Sequence, residues 1–221
     1  MPTVNGIDVS EFQNHNDWVA IHNAGFSWAG CRATHGLTTD ARFAENYPAI
    51  AAAGLLRSAY HYFIFADSPA DQANHFLNIA NPQPGDLPPM LDIEDAPNMP
   101  AARAVQVLGQ FLQIVEARTH ARCLLYMGPF YWRDQLGSTD AFAGHPLWIA
   151  EYLDPRATFP PPARAVPPAV LPPPPVMTPP WPNWTMWQYS SSGHVAGVGS
   201  TNVDLDVFNG DINALRALRL H

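Results

Sequence analysis

Four carboxylates in this 221-residue chain stand where apolar runs end: Asp8 in NGIDVS, Asp92 and Glu94 in PMLDIEDAP, and Asp204 in NVDLDVFNG. Asp92 and Glu94 are two residues apart, so on a strand they share a face, with Cα atoms roughly 6.6 Å apart at ~3.3 Å rise per residue. Carboxyls that close do not ionise independently. Like-charge repulsion and partial burial raise one pKa, leaving a proton donor beside an ionised partner. That division of labour serves acid-assisted glycosidic cleavage. A single strand-end Asp more often caps a helix or faces solvent, but four at matching strand ends, one pair of them in D-x-E, point to a site.

The elements that must hold these groups alternate. TVNGIDVS, SWAGCRAT, LLRSAYHYFIF, PPMLDIED and ARCLLYMG read as strands. After them come helical patterns in NDWVAIHNAG, ARFAENYPAIAAAG, SPADQANHFLNIA, AARAVQVLGQFLQIVEARTH and PFYWRDQLG. Gly25 and Gly54 are stop signals, and Ser68 with Pro69 is a start signal. PLWIAEY, WTMWQYS and NVDLDVF then follow without intervening helices, and GDINALRALRL closes as a helix. Regular alternation implies right-handed crossovers and a parallel sheet. Five strand–helix units and three further strands predict a single α/β domain over 1–221, an irregular TIM-like (β/α)5(β)3 barrel with strand C-termini forming the mouth. No GxGxxG follows the first strand, which argues against a dinucleotide site. Residues 160–182 carry 12 of the 24 prolines. They read as an extended surface loop between PLWIAEY and WTMWQYS, two strands expected side by side, rather than as a linker to a second domain.

Composition separates the chemistries open to an acidic cluster. GIDVS and LDIED also resemble the acidic strands of RNase H-like and DEDD nucleases, which work by two-metal phosphoryl transfer. The chain carries 19 acidic residues against 11 basic ones, a net charge of −8, and every basic residue is Arg. That balance argues against a nucleic-acid partner, and the absence of Lys excludes Schiff-base chemistry and a P-loop. Aromatic residues near strand ends (Tyr60, Tyr62, Tyr126, Trp148, Trp187) suit stacking on sugar rings, whereas Trp18, Trp28 and Phe111 read as core. Cys31 and Cys123 lie in apolar runs and read as buried thiols. No apolar run spans a bilayer, and MPTVNGIDVS has neither the basic nor the apolar region of a Sec signal.

The segments GIDVSEFQ with DW, CRATHG with Asp40-x-x-Phe43, AYHYF, DQANHF, LDIED, PLWIAEY, WQYSSSGHVAGV and VDLDVFNG occur in this order from residue 4 to residue 210. Together they resemble family 25 glycoside hydrolases, the Chalaropsis-type lysozymes, phage endolysins among them. The resemblance implies an N-acetylmuramidase that cuts peptidoglycan, and an irregular barrel. It implies Glu94 as general acid/base and Asp92 as its partner, with Asp8 and Asp204 completing an acidic floor. Asp204 and Asp206 share a face, so choosing Asp204 rests on the family pattern. It further implies substrate contacts at Tyr60, Tyr62, Tyr126, Trp148, Gln188 and Asp40, retention with the substrate's 2-acetamido oxygen as nucleophile, and no cofactor or metal. The implied partner is the peptidoglycan glycan strand, met by a monomer at the bacterial cell wall after holin-dependent release or another export route. The proline-rich segment departs from the family, where a shorter connection is expected.

Overall fold

The computed structural model describes residues 2–152, 174–175, 177 and 179–221. Its strands are β1 (Thr3–Val9), β2 (Trp28–His35), β3 (Thr38–Thr39), β4 (Leu56–Tyr62), β5 (Met90–Asp92), β6 (Leu124–Met127), β7 (Leu147–Ala150), β8 (Met186–Gly193) and β9 (Val203–Asn209). Helices α1 (Trp18–Asn23), α2 (Phe43–Ala52), α3 (Pro69–Ala80), α4 (Ala101–Thr119) and α5 (Tyr131–Leu136) lie between them, and α6 (Ile212–Arg216) follows β9. The sheet order is β1-β9-β8-β7-β6-β5-β4-β2-β3, and an additional β1–β2 pairing closes it. The two-residue β3 hangs from β2 as a hairpin arm, and the other eight strands form the barrel. Pairings from β1 through β8 are parallel, while β9 runs antiparallel to both β8 and β1. The expected five strand–helix units and three late strands are therefore present. One strand is reversed because β9 follows β8 through a short loop, with no helical crossover to return the chain to the bottom.

Strand alternation sorts the apolar residues into two cores. Ile7, Val9, Leu91, Leu125, Ile149, Trp187 and Val207 point outward and pack under helix residues such as Trp18, Ile50, Phe76 and Phe111. Val4, Trp28, Tyr60, Met90, Leu124, Tyr126, Trp148, Met186 and Phe208 point inward and fill the barrel, with Leu215 of α6 sealing its lower end. Trp148 is the hub of the inner core: the rings of Trp28, Tyr60 and Tyr126 meet it edge-on at centroid distances of 6.5, 6.4 and 4.6 Å. Two indoles fit in one narrow barrel because β1 carries Gly6 opposite Trp28, where a Cβ would lie 2.1 Å from the indole.

Two sequence motifs prove to be devices of the outer core. Neutral His61, its pKa lowered to about 3 by burial, is stacked on Phe111 at 4.8 Å. It is held between Thr34 Oγ1 at 2.6 Å and Gln72 Oε1 at 3.1 Å. Gln72 also binds the Ile64 backbone through both N–H and C=O. AYHYF and DQANHF are thus the two halves of one clamp between β4 and α3.

β7 and β8 are adjacent, as expected for strands flanking the proline-rich segment. Of the 160–182 loop, residues 160–173, 176 and 178 lie outside the described residues. Its return is anchored: buried Trp181 donates from Nε1 to the His145 carbonyl at 2.8 Å and meets Trp132 of α5 edge-on at 4.6 Å. Cys31 and Cys123 are buried free thiols, and no described helix is long and apolar enough to cross a membrane.

Gly6→Ala is expected to destabilise the protein by about 1–3 kcal/mol, because neither Trp28 nor the strand can yield in a filled barrel. Chemical denaturation monitored by tryptophan fluorescence checks this, and an unchanged midpoint contradicts the packing described.

Candidate active site

The carboxylates converge at the C-terminal mouth because each occupies an inward-facing position near a strand end. Asp8 and Asp204 are cross-strand partners. Asp92 is the last residue of β5 and pairs with Tyr62 on one side and Tyr126 on the other. Glu94 differs from the expected arrangement of two acids on one paired strand. The ladder ends with the Ile93 amide donating to the Tyr126 carbonyl at 2.9 Å, and Glu94 emerges beyond it, exposed to solvent. Its backbone is held by the next residue: Asp95 Oδ2 accepts the Phe65 amide at 2.8 Å, and its carbonyl accepts the Tyr131 hydroxyl at 2.5 Å.

Burial grades the cluster electrically. Asp92 is buried, and desolvation, reinforced by the charge of Glu94 and opposed by Arg32, pushes its pKa well above the usual carboxylate range. Its Oδ1 has no hydrogen-bond partner. Asp204 is only partly buried and is raised to about 6, by desolvation and then by Glu94. Deeper in the barrel, burial and the neighbouring acids also raise Asp8 and Asp206. Negative charge is therefore suppressed inside the barrel, because ionising an acid in a dry, acid-lined barrel costs more than ionising one in water.

One cation balances this group, and the sequence reading did not single it out. Arg32 projects from β2 beside a bulge between Arg32 and Thr34. It donates from Nε to Asp40 Oδ2 at 2.8 Å and from Nη2 to Glu11 Oε1 at 3.0 Å. The signal available was a charged residue inside the otherwise apolar SWAGCRAT. Ser10 caps the short turn Glu11–Gln13 and forms a capping box with Gln13. That turn delivers Glu11 to Arg32 and leaves Phe12 70% exposed on the rim, with the guanidinium 5.1 Å from its ring centre.

The expected substrate contacts separate by depth. Tyr62 is half-buried on the rim, stacked edge-on to His35 at 4.5 Å, with its pKa raised to about 12 by burial and then by Asp92. Tyr60 and Trp148 correct the expectation of sugar-facing aromatics: both are buried in the inner core, because their positions along the strands place them below the carboxylates. Asp40 is likewise buried, accepting from Arg32, the Glu11 amide at 3.0 Å and the Arg42 amide at 2.9 Å, so it supports the site from behind. Buried Gln188 accepts the hydroxyls of Tyr126 at 2.7 Å and Tyr152 at 2.8 Å on Oε1, and donates from Nε2 to Asp8 at 2.6 Å. Tyr126 is a buried link in that chain, and Tyr152, half exposed at its outer end, is a rim residue that sequence reasoning passed over although it ends PLWIAEY.

A family model described as "Glycosyl hydrolases family 25" matches residues 7–198. The chain belongs to glycosyl hydrolase family 25. It is 32% identical to Lysozyme M1 of Streptomyces globisporus, over 97% of this chain and 71% of that protein. It is 29% identical to the N,O-diacetylmuramidase of Chalaropsis sp, over 98% of this chain and 99% of that protein. The crystal structure of a bacterial lysozyme from Streptomyces coelicolor superposes with a TM-score of 0.82 at 32% identity, covering 98% of this chain and 96% of that one. Family membership makes the chain a glycoside hydrolase, which decides between the two chemistries that an acidic cluster permits.

The grading has a measurable consequence. Asp204 has a folded pKa of about 6 against an ordinary 3.8, so folding favours its protonated form. The stability that it contributes is fully present below the ordinary value and is lost as pH rises through the folded one. Asp204→Asn is therefore expected to gain stability relative to wild type between pH 4 and pH 7, by on the order of 2 kcal/mol once partial exposure is discounted. Urea unfolding of both proteins at the two pH values checks this, and a difference independent of pH contradicts it.

Proposed function

We propose that this chain is an N-acetylmuramidase that hydrolyses the β-1,4 bond from N-acetylmuramic acid to N-acetylglucosamine in peptidoglycan, with Glu94 as general acid/base. The observation that carries this reading is the pairing of an exposed Glu94 at the mouth with a buried Asp92 whose Oδ1 is unpartnered. The names of the relatives, lysozyme and N,O-diacetylmuramidase, support the bond class.

The glycan strand lies across the mouth, where the exposed rings of Phe12 and Tyr152 and the half-buried ring of Tyr62 offer apolar faces to sugars. Glu94 donates its proton to the glycosidic oxygen as the bond to the anomeric carbon breaks. The 2-acetamido oxygen of the same sugar attacks that carbon, and the Asp92 carboxyl accepts a hydrogen bond from the acetamido N–H, stabilising the positive charge that the amide acquires. Asp204 supplies negative potential on the same side. Glu94 then takes a proton from water, which opens the cyclic intermediate with net retention. A raised proton affinity suits Asp92 for this task, since a carboxyl that binds protons tightly also accepts strongly from an increasingly acidic N–H. The protein acts as a monomer at the bacterial cell wall, on a glycan partner and not on nucleic acid.

Glu94→Gln is expected to lower lysis of permeabilised cell walls by roughly 10²–10⁴-fold, the usual worth of general acid/base catalysis, with circular dichroism and melting unchanged. Lysis by the wild type is expected to survive EDTA. Undiminished lysis by a folded Glu94→Gln protein overturns the assignment.

A further inference from the structure

Asp206, two residues after Asp204 on the same face of β9, has no part in the reaction described above. Its side chain is fully buried in the barrel. Oδ1 accepts the Trp148 Nε1 hydrogen at 2.8 Å. Oδ2 is buried without a hydrogen-bond partner. On the adjacent strand Asp8 is in register with Asp204 and Gly6 with Asp206, so the carboxyls of Asp8 and Asp206 are diagonal neighbours on the inner face, and each bears on the other's proton affinity.

Every other bond in this network has a fixed direction. An indole N–H only donates, so Asp206 Oδ1 accepts. An amide oxygen only accepts, so Tyr126 and Tyr152 both donate to Gln188 Oε1. The Gln188 amide nitrogen only donates, so Asp8 Oδ2 accepts. The chain runs inward from the rim tyrosine to Asp8, and a second donor enters from Trp148. Among the described residues nothing donates to Asp206 Oδ2, so the diagonal pair presents acceptor to acceptor. Two bare carboxylates in contact inside an apolar barrel are the costliest way to fill that gap, and one hydrogen shared across it is the cheapest.

We propose that Asp206 is a positioning residue that keeps one proton on Asp8, so that the two acids carry a single proton and a single charge and lock Gln188, Tyr126 and Tyr152 in one orientation beneath the cleft. The titratable groups within electrostatic reach of the pair are Asp204 on β9, Tyr60 on β4, Tyr126 on β6 and Tyr152 after β7, with Cys31 on β2 and Tyr189 on β8 behind them in the outer core. None is a cation that could stabilise a second charge there. Burial and the charge of Asp204 raise both carboxyls, while Asp206 raises Asp8 further and Asp8 in turn lowers Asp206, which puts the proton on Asp8. Trp148 and Gln188, expected from the sequence to touch sugar, thereby acquire a role as the donors that hold the pair in place.

The test is infrared spectroscopy of the full-length protein at neutral pH, which needs no substrate. Its outcome is therefore independent of the muramidase reading, on which only the activity arm below rests. The wild type is expected to show carbonyl bands of buried, protonated carboxyls, and Asp206→Asn is expected to remove one of them. The Asn amide donates to an ionised Asp8 while its oxygen still accepts from Trp148. Asp92→Asn must leave in place the band that Asp206→Asn removes. Should Asp206→Asn fail to fold, Asp8→Asn is expected to abolish the same band. In lysis assays Asp206→Leu, which strands the Trp148 N–H and releases Asp8 and Gln188 from their fixed orientation, is expected to lose on the order of tenfold in kcat, and Asp206→Asn to recover most of that loss. A wild-type spectrum without a protonated-carboxyl band, a band untouched by Asp206→Asn and Asp8→Asn, or equal losses in the Asn and Leu variants would overturn the proposal.

Discussion

The constraint on which this molecule turns is the crowding of acids at one end of a closed, filled barrel. Asp8, Asp92 and Asp206 are buried, Asp204 is half-buried, and Glu94 alone stands in solvent. In water such a group would simply ionise; inside the sheet, desolvation and mutual repulsion keep charge to a minimum. The proteins's answer is graded by depth. Asp206 and Asp8 meet at the floor among donors from Trp148 and Gln188, Asp92 sits above them with a free oxygen, and Glu94 reaches the opening. Among the described residues a single buried cation, Arg32, tempers the cluster without neutralising it, because Asp40 and Glu11 already claim its hydrogen bonds.

The inner core makes that gradation possible. Trp28, Tyr60, Tyr126 and Trp148 fill the barrel below the acids, so water does not reach the floor from beneath, and α6 seals the lower end with Leu215. The same aromatic layer supplies polar edges upward: the Trp148 indole binds Asp206 and the Tyr126 hydroxyl binds Gln188. Packing and electrostatics are thus performed by the same side chains. A glycine at position 6 is as necessary to the site as an acid at position 92, since without it Trp28 has no room.

Much of this was legible in the sequence, for a physical reason. An acid ending an apolar run lies at a strand terminus, and in a parallel barrel those termini gather at one mouth, so Asp8, Asp92 and Glu94 could be grouped from the sequence; Asp204 reaches the same mouth from the opposite end of its strand, as the second residue of β9, because β9 is reversed. Alternation also specified which residues face inward. It did not specify depth, which depends on the stagger between strands: Trp148 pairs with Tyr126 and Tyr126 with Asp92, yet Trp148 packs below the acids while Glu94 rises two residues past the ladder. Hence Tyr60, Trp148 and Asp40 read as sugar contacts and proved to be supports, while Arg32 and Tyr152, inside motifs already noticed, were passed over. The clamp between His61 and Gln72 was equally hidden, because its two halves lie in separate motifs joined only by the crossover.

The most direct measurement is mass spectrometry of the fragments released from purified peptidoglycan. Cleavage by the carboxylate pair at the mouth predicts soluble muropeptides whose new reducing ends are N-acetylmuramic acid, with the peptide stems intact. Reducing ends of N-acetylglucosamine, cut stems, or no release of fragments would contradict it.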